Sequence, residues 1–146
     1  MIYLGADHAG FDLKKILKKY LDEKNIPNKD LGNLKLKIND DYPDFAKKVA
    51  EKVAEKKGAL GILICGSGNG ICMAANKVKG IRAALAYNEY SARMAKQDED
   101  ANIICLAGRV LKPAEAKKIV DIWLKEKKSP AKRHERRIKK IQKLEK

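Results

Sequence analysis

Residues 60–76 read LGILICGSGNGICMAAN, and this stretch decides the expected fold of the chain. Its first part, Leu60–Ile64, is a short apolar run typical of a strand buried on both faces of a parallel sheet. The thiol of Cys65 and three alternating glycines follow, and a short helix is predicted over Gly70–Lys77. The backbone N–H groups of such a loop can converge on an anion. We therefore expect a strand, an anion-binding loop and a helix.

The rest of the chain alternates short apolar runs with longer amphipathic segments. Strands are predicted at Ile2–Ala6, Asn28–Leu31, Leu60–Ile64, Ile81–Ala86 and Ile103–Ala107. Helices are predicted at Gly10–Lys24, Tyr42–Lys57, Gly70–Lys77, Asn88–Lys96, Pro113–Lys127 and Ala131–Leu144, with a polar loop at Gly32–Asp41. This alternation predicts an α/β protein with a five-stranded parallel sheet covered on both faces. Residues 1–146 are expected to form a single domain, in which the last helix extends from the core.

The composition limits the class of protein. With 146 residues and 45% hydrophobic content, the chain can bury one core, and it contains no apolar run of the length needed to cross a bilayer. Asp7 and His8 interrupt the apolar start, so no signal peptide is expected and the predicted location is the cytoplasm. Three cysteines and two histidines fit neither a disulfide framework nor a zinc site. No metal or cofactor is expected.

The positive charge is concentrated at the end of the chain. The net charge is +14, and residues 124–146 contain eleven Lys or Arg and three Glu. One interpretation is a solvated basic helix, and another is a helix that binds an anionic ligand. Arg133 and Arg137 lie one helical turn apart and could grip a phosphate. Nucleic acid is the less favoured partner, because this segment contains no interleaved aromatic residues.

Chemically active residues follow three of the predicted strands. Asp7 and His8 follow the first, Cys65–Gly70 follow the third, and Arg109 follows the fifth. In an open parallel sheet, ligands bind beyond the carboxyl ends of the strands, so these groups are expected to meet at one edge. A thiol beside converging N–H groups is favoured as the thiolate, although a buried core cysteine is the alternative.

The glycine spacing excludes two common loops. No Lys-Ser or Lys-Thr follows Gly70, so this is not a Walker loop, and the glycines at 66, 68 and 70 do not match the dinucleotide fingerprint. Donors near a thiolate suit an enzyme that removes a proton from carbon and stabilises the enediolate oxygen. Ser67 could add its hydroxyl or simply bond the turn, and Asp7 could instead cap a helix.

Eight short motifs, taken together, resemble one family. They are Asp-His-Ala-Gly-Phe at 7–11, Asp-Tyr-Pro-Asp at 41–44, Ile-Cys-Gly-Ser-Gly-Asn-Gly at 64–70, Ala-Ala-Asn-Lys at 74–77, Gly-Ile-Arg-Ala-Ala at 80–84, Asp-Ala-Asn at 100–102, Gly-Arg-Val at 108–110 and Arg-His-Glu-Arg-Arg-Ile at 133–138. The set is similar to type B ribose-5-phosphate isomerase, in a wider family that includes isomerases of galactose and allose phosphates. The resemblance implies a Rossmann-like three-layer fold and a metal-free aldose–ketose isomerase. It also implies a homodimer or dimer of dimers with active sites shared between subunits.

The resemblance also implies roles for single residues. Cys65 resembles the base that moves a proton between C1 and C2. An enediolate cradle is implied for Ser67 and for the backbone at Gly66, Gly68, Asn69 and Gly70. Asp7 resembles a contact to the sugar. A phosphate grip is implied for His8, Arg109, Arg133 and Arg137, the last two from the partner subunit. The basic C-terminal helix over residues 131–146 is expected to pack on that partner.

One pair of residues departs from the family pattern. Relatives usually carry His-Asn where this chain has Asp98 and Glu99, and that histidine is thought to help open the sugar ring. Asp98 is assigned to this step and Glu99 to the substrate, although a carboxylate is a poor proton donor at pH 7. Asp7 or solvent could open the ring instead. The expected substrate is ribose 5-phosphate, with a six-carbon sugar phosphate as the runner-up and a nucleotide- or nucleic-acid-binding module as the non-enzymatic alternative.

Overall fold

The computed structural model describes residues 1–145, which form five strands and six helices in alternation. The strands are β1 Ile2–Ala6, β2 Asn28–Asp30, β3 Leu60–Cys65, β4 Ala83–Leu85 and β5 Ile103–Ala107. The helices are α1 Phe11–Glu23, α2 Tyr42–Glu55, α3 Asn69–Ala75, α4 Glu89–Gln97, α5 Pro113–Lys125 and α6 Lys132–Lys143. The predicted element types and their order are therefore confirmed.

The strands form one parallel sheet in the order β2-β1-β3-β5-β4. In the register of this sheet, Ala6 is opposite Ile64 and Cys65 is opposite Ala107, so β1, β3 and β5 end side by side. We call this side of the sheet the carboxyl edge, and the side where the strands begin the amino edge.

Two apolar layers cover the sheet and hold its loops in place. One face packs against α1, α4 and α5, with Leu17, Leu21 and Trp123 among its fully buried side chains. The other face packs against α2 and α3 through a cluster that includes Val49, Leu63 and Cys65. Burial on both faces explains why β3 and β5 are continuous apolar runs. The result is the predicted three-layer α/β/α arrangement.

Most predicted boundaries differ from the observed ones by one or two residues. The strand β4 is shorter than predicted, because the backbone N–H of Arg82 donates to the side chain of Asn102 (2.8 Å) instead of joining a ladder. The helix α2 ends at Glu55, before Gly58 at φ +85°. The strand β3 includes Cys65, so the thiol belongs to the sheet and not to the loop.

The last helix packs against its own chain. Ile138 is buried within the protomer, and the Glu145 carboxylate accepts a hydrogen bond from the N–H of Gly80 at 3.0 Å. Ile138 is therefore covered within its own chain, and the packing of this helix on a partner subunit stays a prediction. Ile141 and Leu144 remain exposed, and Lys146 lies outside the described residues. Across residues 1–145, no helix has both the length and the apolar character to cross a membrane.

Candidate active site at the carboxyl edge

Backbone hydrogen bonds tie three loops together at the carboxyl edge. The N–H of Asp7 donates to the carbonyl of Ile64 at 3.3 Å, and the N–H of Gly108 donates to the carbonyl of Cys65 at 2.8 Å. The N–H of Arg109 donates to the carbonyl of Gly66 at 3.1 Å. The loops that follow β1, β3 and β5 therefore form one continuous surface, as the sequence analysis expected.

Glycine allows these loops to approach one another closely. A Cβ at Gly10 would lie 2.4 Å from the carbonyl oxygen of Ile64, and one at Gly108 would lie 2.5 Å from that of Ala9. Both distances are too short for real carbon–oxygen contacts, so a larger residue would push the loops apart. The compact edge depends on glycine at both positions.

The glycine-rich loop after β3 leaves several donors free. Gly68 has φ +79°, and the N–H of Asn69 donates to the Ser67 hydroxyl oxygen at 3.2 Å. Within residues 1–145, the backbone N–H groups of Gly66, Ser67, Gly68 and Gly70 have no protein acceptor. Ser67 therefore bonds the turn, as its alternative role predicted, while its own hydroxyl proton stays available. A loop with unpaired N–H groups suits an anionic oxygen.

Two side chains border this loop. A Cβ at Gly66 would lie 3.1 Å from Nη1 of Arg109, so the guanidinium lies directly over the start of the loop. A Cβ at Gly70 would lie 2.5 Å from Cζ of Tyr42, so the phenol ring packs against its far end. The loop therefore has a permanent positive charge on one side and an aromatic ring on the other.

Cys65 lies beneath the loop and is largely buried, with 4% of the residue exposed. Its side chain belongs to the apolar cluster on the α2 and α3 face, together with Ile71 and Cys105. Burial raises the pKa of Cys105 well above its usual value, and a hydrogen bond with Cys105 lowers the pKa of half-buried Cys72. The buried-cysteine alternative considered for Cys65 therefore describes its position in this structure.

The two residues after β1 are both fixed by hydrogen bonds. Asp7 is buried, and its carboxylate caps the next turn by accepting from the N–H groups of Ala9 (3.0 Å) and Gly10 (3.2 Å). Asp7 therefore holds the turn before α1 and does not cap the helix, whose N-cap residue is Gly10. His8 instead binds Asp40, which accepts from the His8 backbone N–H (2.9 Å) and faces Nδ1 of its ring at 2.7 Å.

Asp7, His8 and Asp40 are the one group in residues 1–145 with metal-like spacing, their nearest ligand atoms lying within 4.8 Å of one another. Each of the three is already engaged in hydrogen bonds to protein groups. The arrangement is explained by these bonds without a metal ion.

Asp98 and Glu99 lie at the opposite side of the same protomer. They follow α4, which runs back toward the amino edge, and the backbone carbonyl of Glu99 accepts from Nε of Arg82 at 2.9 Å just before β4 begins. The fold therefore separates Asp98 and Glu99 from Cys65 within one chain. The sequence analysis had grouped them with the same site.

The arginines of α6 are also away from the carboxyl edge. Nε2 of His134 lies 3.6 Å from the Asp98 carboxylate, which places the start of α6 beside the end of α4. Arg133 and Arg137 are exposed, and neither forms an ion pair with any residue in the range 1–145. Both cations are thus directed outward from their own chain.

Two residues beside the candidate site, Asp40 and Tyr42, are not predicted from the sequence. Asp40 was placed in a polar loop without a role, and Tyr42 was only the start of a helix. His8 and Asp40 are separated by 32 residues, so no local spacing connects them. The only available signal for Tyr42 was its position in the Asp-Tyr-Pro-Asp motif.

Comparison with known proteins identifies the relatives of this chain. Residues 2–141 match the model of the Ribose/Galactose Isomerase family. The probable ribose-5-phosphate isomerase B of Mycoplasma genitalium is 49% identical over 146 aligned residues, covering 99% of this chain and 95% of that protein. The ribose-5-phosphate isomerase B of Mycobacterium tuberculosis strain H37Rv is 42% identical, covering 94% of this chain and 85% of that protein.

Solved structures agree with this assignment. The ribose-5-phosphate isomerase B of Mycoplasma genitalium, with bound ribulose-5-phosphate, superposes with a TM-score of 0.94 at 48% identity, covering 98% of this chain and 94% of that chain. The enzyme of Thermotoga maritima gives a TM-score of 0.93 at 42% identity, with 97% of each chain covered.

Proposed function

Because this chain belongs to the ribose/galactose isomerase family, we propose that its carboxyl edge is the active site of an aldose–ketose isomerase. The enzyme interconverts ribose 5-phosphate and ribulose 5-phosphate. The observation that carries this function is the meeting of a thiol, a loop with unpaired N–H groups and a guanidinium at the ends of β3 and β5. Residues 1–146 act as one isomerase domain.

Cys65 is the proposed base. In the open-chain aldose, its thiolate takes the proton from C2, and the electron pair of that bond forms a C1–C2 double bond while the C1 carbonyl oxygen becomes negative. The thiol then returns its proton to C1, and the proton of the C2 hydroxyl passes to O1, which leaves a carbonyl at C2. The position of Cys65 at the end of a buried strand supports this role, because the sulfur is held rigidly under the loop.

The loop is the proposed cradle for the enediolate oxygen. The unpaired N–H groups of Gly66, Gly68 and Gly70 and the hydroxyl of Ser67 are the donors for the charge that develops in the transition state. The N–H of Asn69 contributes by holding the Ser67 oxygen in place. Because the loop is fixed by Gly68 and by the Ser67 turn, these donors need little rearrangement during the reaction. Asp7 borders the sugar with the carboxylate that also caps its own turn.

The phosphate end of the substrate is assigned to His8 and Arg109 of one subunit, with Arg133 and Arg137 of a second copy. The support is twofold. Arg109 lies beside the loop, whereas Arg133 and Arg137 are exposed cations without an ion-pair partner in residues 1–145. In a homodimer, or a dimer of dimers, with shared sites, the phosphate-binding residues of the two subunits meet at one phosphate.

Ring opening is assigned to Asp98, also from the second copy, with Glu99 as a substrate contact beside it. The support is the position of Asp98 next to His134 and near the start of α6, because a subunit that delivers α6 also delivers Asp98. Asp98 takes the proton of the C1 hydroxyl as the ring C1–O4 bond breaks, and O4 takes a proton from solvent or from Asp7.

The cytoplasm is the proposed location, because all three cysteines are free thiols, which suits a reducing compartment. No metal or cofactor is required by the proton transfers proposed here.

A substrate panel tests the function. Purified protein is assayed with ribose 5-phosphate, allose 6-phosphate and galactose 6-phosphate, and the ketose product is measured directly. We expect the highest kcat/KM with ribose 5-phosphate. Preference for a six-carbon phosphate would move the assignment to another branch of the family, and no turnover of any of the three would refute the proposed function.

A further inference from the structure

The side chain of His8 is held at two points by one carboxylate. Oδ1 of Asp40 accepts from the His8 backbone N–H at 2.9 Å and lies 2.7 Å from ring atom Nδ1. Holding both the backbone and the ring fixes the side-chain torsions of His8. An ionised carboxylate only accepts hydrogen bonds, so Nδ1 carries the proton of this pair. Nε2 has no protein partner in residues 1–145, and 28% of the side chain is exposed.

The Asp40 carboxylate is itself fixed from its other side. Its Oδ2 accepts a hydrogen bond from Nδ2 of Asn33 at 2.8 Å, and only 7% of the side chain is exposed. Burial alone would raise the pKa of Asp40, but the hydrogen bonds from Asn33 and His8 outweigh it and lower the pKa below its usual value. Asp40 is therefore an anion held in one orientation.

A buried lysine anchors this arrangement to the core. Lys14 of α1 is fully buried, and its ammonium pairs with Asp30 at 3.0 Å and donates to the backbone carbonyl of Asn33. The N–H of Gly32 donates to the same Asp30 oxygen at 2.8 Å. The loop that carries Asn33 and Asp40 is thus connected by charged hydrogen bonds to the end of β2. These contacts link the loop to the buried ammonium of α1.

We propose that Asp40 is a positioning residue that holds His8 with Nε2 directed at the phosphate of the substrate, an inference that rests on the proposed function. A phosphate oxygen needs a hydrogen bond from Nε2, so the ring that binds it carries protons on both nitrogens. The Asp40 carboxylate, by accepting at Nδ1, fixes the direction in which Nε2 points. Asp40 does not touch the substrate and acts only through His8.

The kinetic test compares Asp40→Asn with the wild type. Asparagine preserves the shape but removes the charge. We expect the KM for ribose 5-phosphate and the inhibition constant of inorganic phosphate each to rise about tenfold, because the loss of one charge-assisted hydrogen bond has an effect of this size. The kcat is expected to change less than about threefold. The matched control is Asp44→Asn, an exposed carboxylate four residues away, which leaves both constants unchanged. Unchanged constants in Asp40→Asn would overturn the proposal.

A double-mutant cycle separates positioning from general support of the loop. In a His8→Asn background, the further change Asp40→Asn has little effect on KM, because the residue it acts through is gone. Equal and additive effects in both backgrounds would show that Asp40 acts independently of His8, and the proposal would be wrong.

A measurement on the wild type covers the case in which Asp40→Asn does not fold. The chain has two histidines, so ¹⁵N spectra of the imidazole rings are assigned with His8→Asn alone. We expect a slowly exchanging proton on Nδ1 of His8, and a shift of its Nε2 signal as inorganic phosphate is added. An Nε2 signal that does not respond at saturating phosphate would overturn the proposal. Isomerase activity is scored separately, so a wild type without activity refutes the proposed function and not this geometry.

Discussion

The Asp98 carboxylate lies 3.6 Å from Nε2 of His134, and this contact joins the end of α4 to the start of α6. The end of α4 and the start of α6 lie toward the amino edge, whereas Cys65 lies at the carboxyl edge. A chain that carries Asp98, Arg133 and Arg137 on one side and Cys65 on the other cannot unite them by itself. The proposed site therefore requires two copies.

Mixing two inactive variants tests this requirement. Cys65→Ala disables the catalytic edge, and the double variant Arg133→Ala/Arg137→Ala disables the opposite side. If sites are shared, half of the randomly mixed dimers are hybrids, and each hybrid has one intact site, so about a quarter of wild-type activity returns after unfolding and co-refolding. The control refolds each variant alone, and at ribose 5-phosphate concentrations far below KM each gives much less activity than the mixture. No recovery in the mixture would place all these residues in sites of a single chain.

Replacing Cys65 tests the base. We expect Cys65→Ala to lower kcat by about 10²–10⁴-fold, the usual contribution of a positioned acid–base group, while KM changes little. Circular dichroism and the melting temperature check that the fold is retained. The control is Cys72→Ala, which removes a half-buried thiol from the neighbouring helix and leaves kcat within about twofold. Full activity in Cys65→Ala would assign proton transfer to another group.

Arg137→Ala tests the phosphate grip. Removing one charged donor from a phosphate is expected to raise the KM for ribose 5-phosphate by about tenfold or more, because charge-assisted hydrogen bonds contribute about 1.5–3 kcal/mol. Any activity on free ribose, which has no phosphate, stays unchanged. Lys140→Ala, an exposed cation on the same helix, serves as the control for net charge. An unchanged KM for ribose 5-phosphate would remove Arg137 from the site.

Lys14→Met tests the buried anchor. The change leaves Asp30 without its cation, and breaking a buried ion pair costs about 3–5 kcal/mol of the free energy of unfolding. Burial also lowers the pKa of Lys14, and Asp30 opposes this shift. Urea denaturation measures the loss. The same change at partly exposed Lys18, one turn further along α1, costs less than about 1 kcal/mol. Equal losses for the two variants would contradict a structural role specific to Lys14.

Acid stability tests the contact between α1 and α5. The Asp121 carboxylate accepts from the hydroxyl of Tyr20 at 2.5 Å and pairs with Lys24 at 3.1 Å. Burial raises the pKa of Asp121, but these partners outweigh it, and the net pKa lies below its usual value of 3.8. A carboxyl group with a lowered pKa stabilises the fold at pH values above its usual pKa of 3.8. This contribution to stability is lost as the pH falls through the lower pKa of the folded state.

We expect the Asp121→Asn variant to lose less of its free energy of unfolding at acid pH than the wild type loses. Between pH 7 and pH 3, the free energy of unfolding of the variant falls less than that of the wild type. Glu51→Gln, at an exposed carboxylate of α2, leaves the wild-type pH dependence unchanged. Identical acid curves for Asp121→Asn and the wild type would contradict the assigned role.

Much of the site was predictable because its parts are local in sequence. The glycine spacing in 65–70 predicted a turn with free donors, and the alternation of strands and helices placed it beside Asp7, His8 and Arg109. The glycine spacing and the apolar runs reflect contacts within one turn or one strand. The parallel topology then determines that the carboxyl ends of the strands lie side by side.

The sequence by itself determined the five-stranded parallel sheet and the identity of the loops at its carboxyl edge, because the period of apolar residues sets which faces are buried. Only the tertiary structure decided that Asp40 holds His8, that Cys65 is covered and that Asp98 lies at the far edge. These are contacts between residues distant in the chain. They depend on how α2 and the loop before it pack on the sheet, which no local pattern encodes.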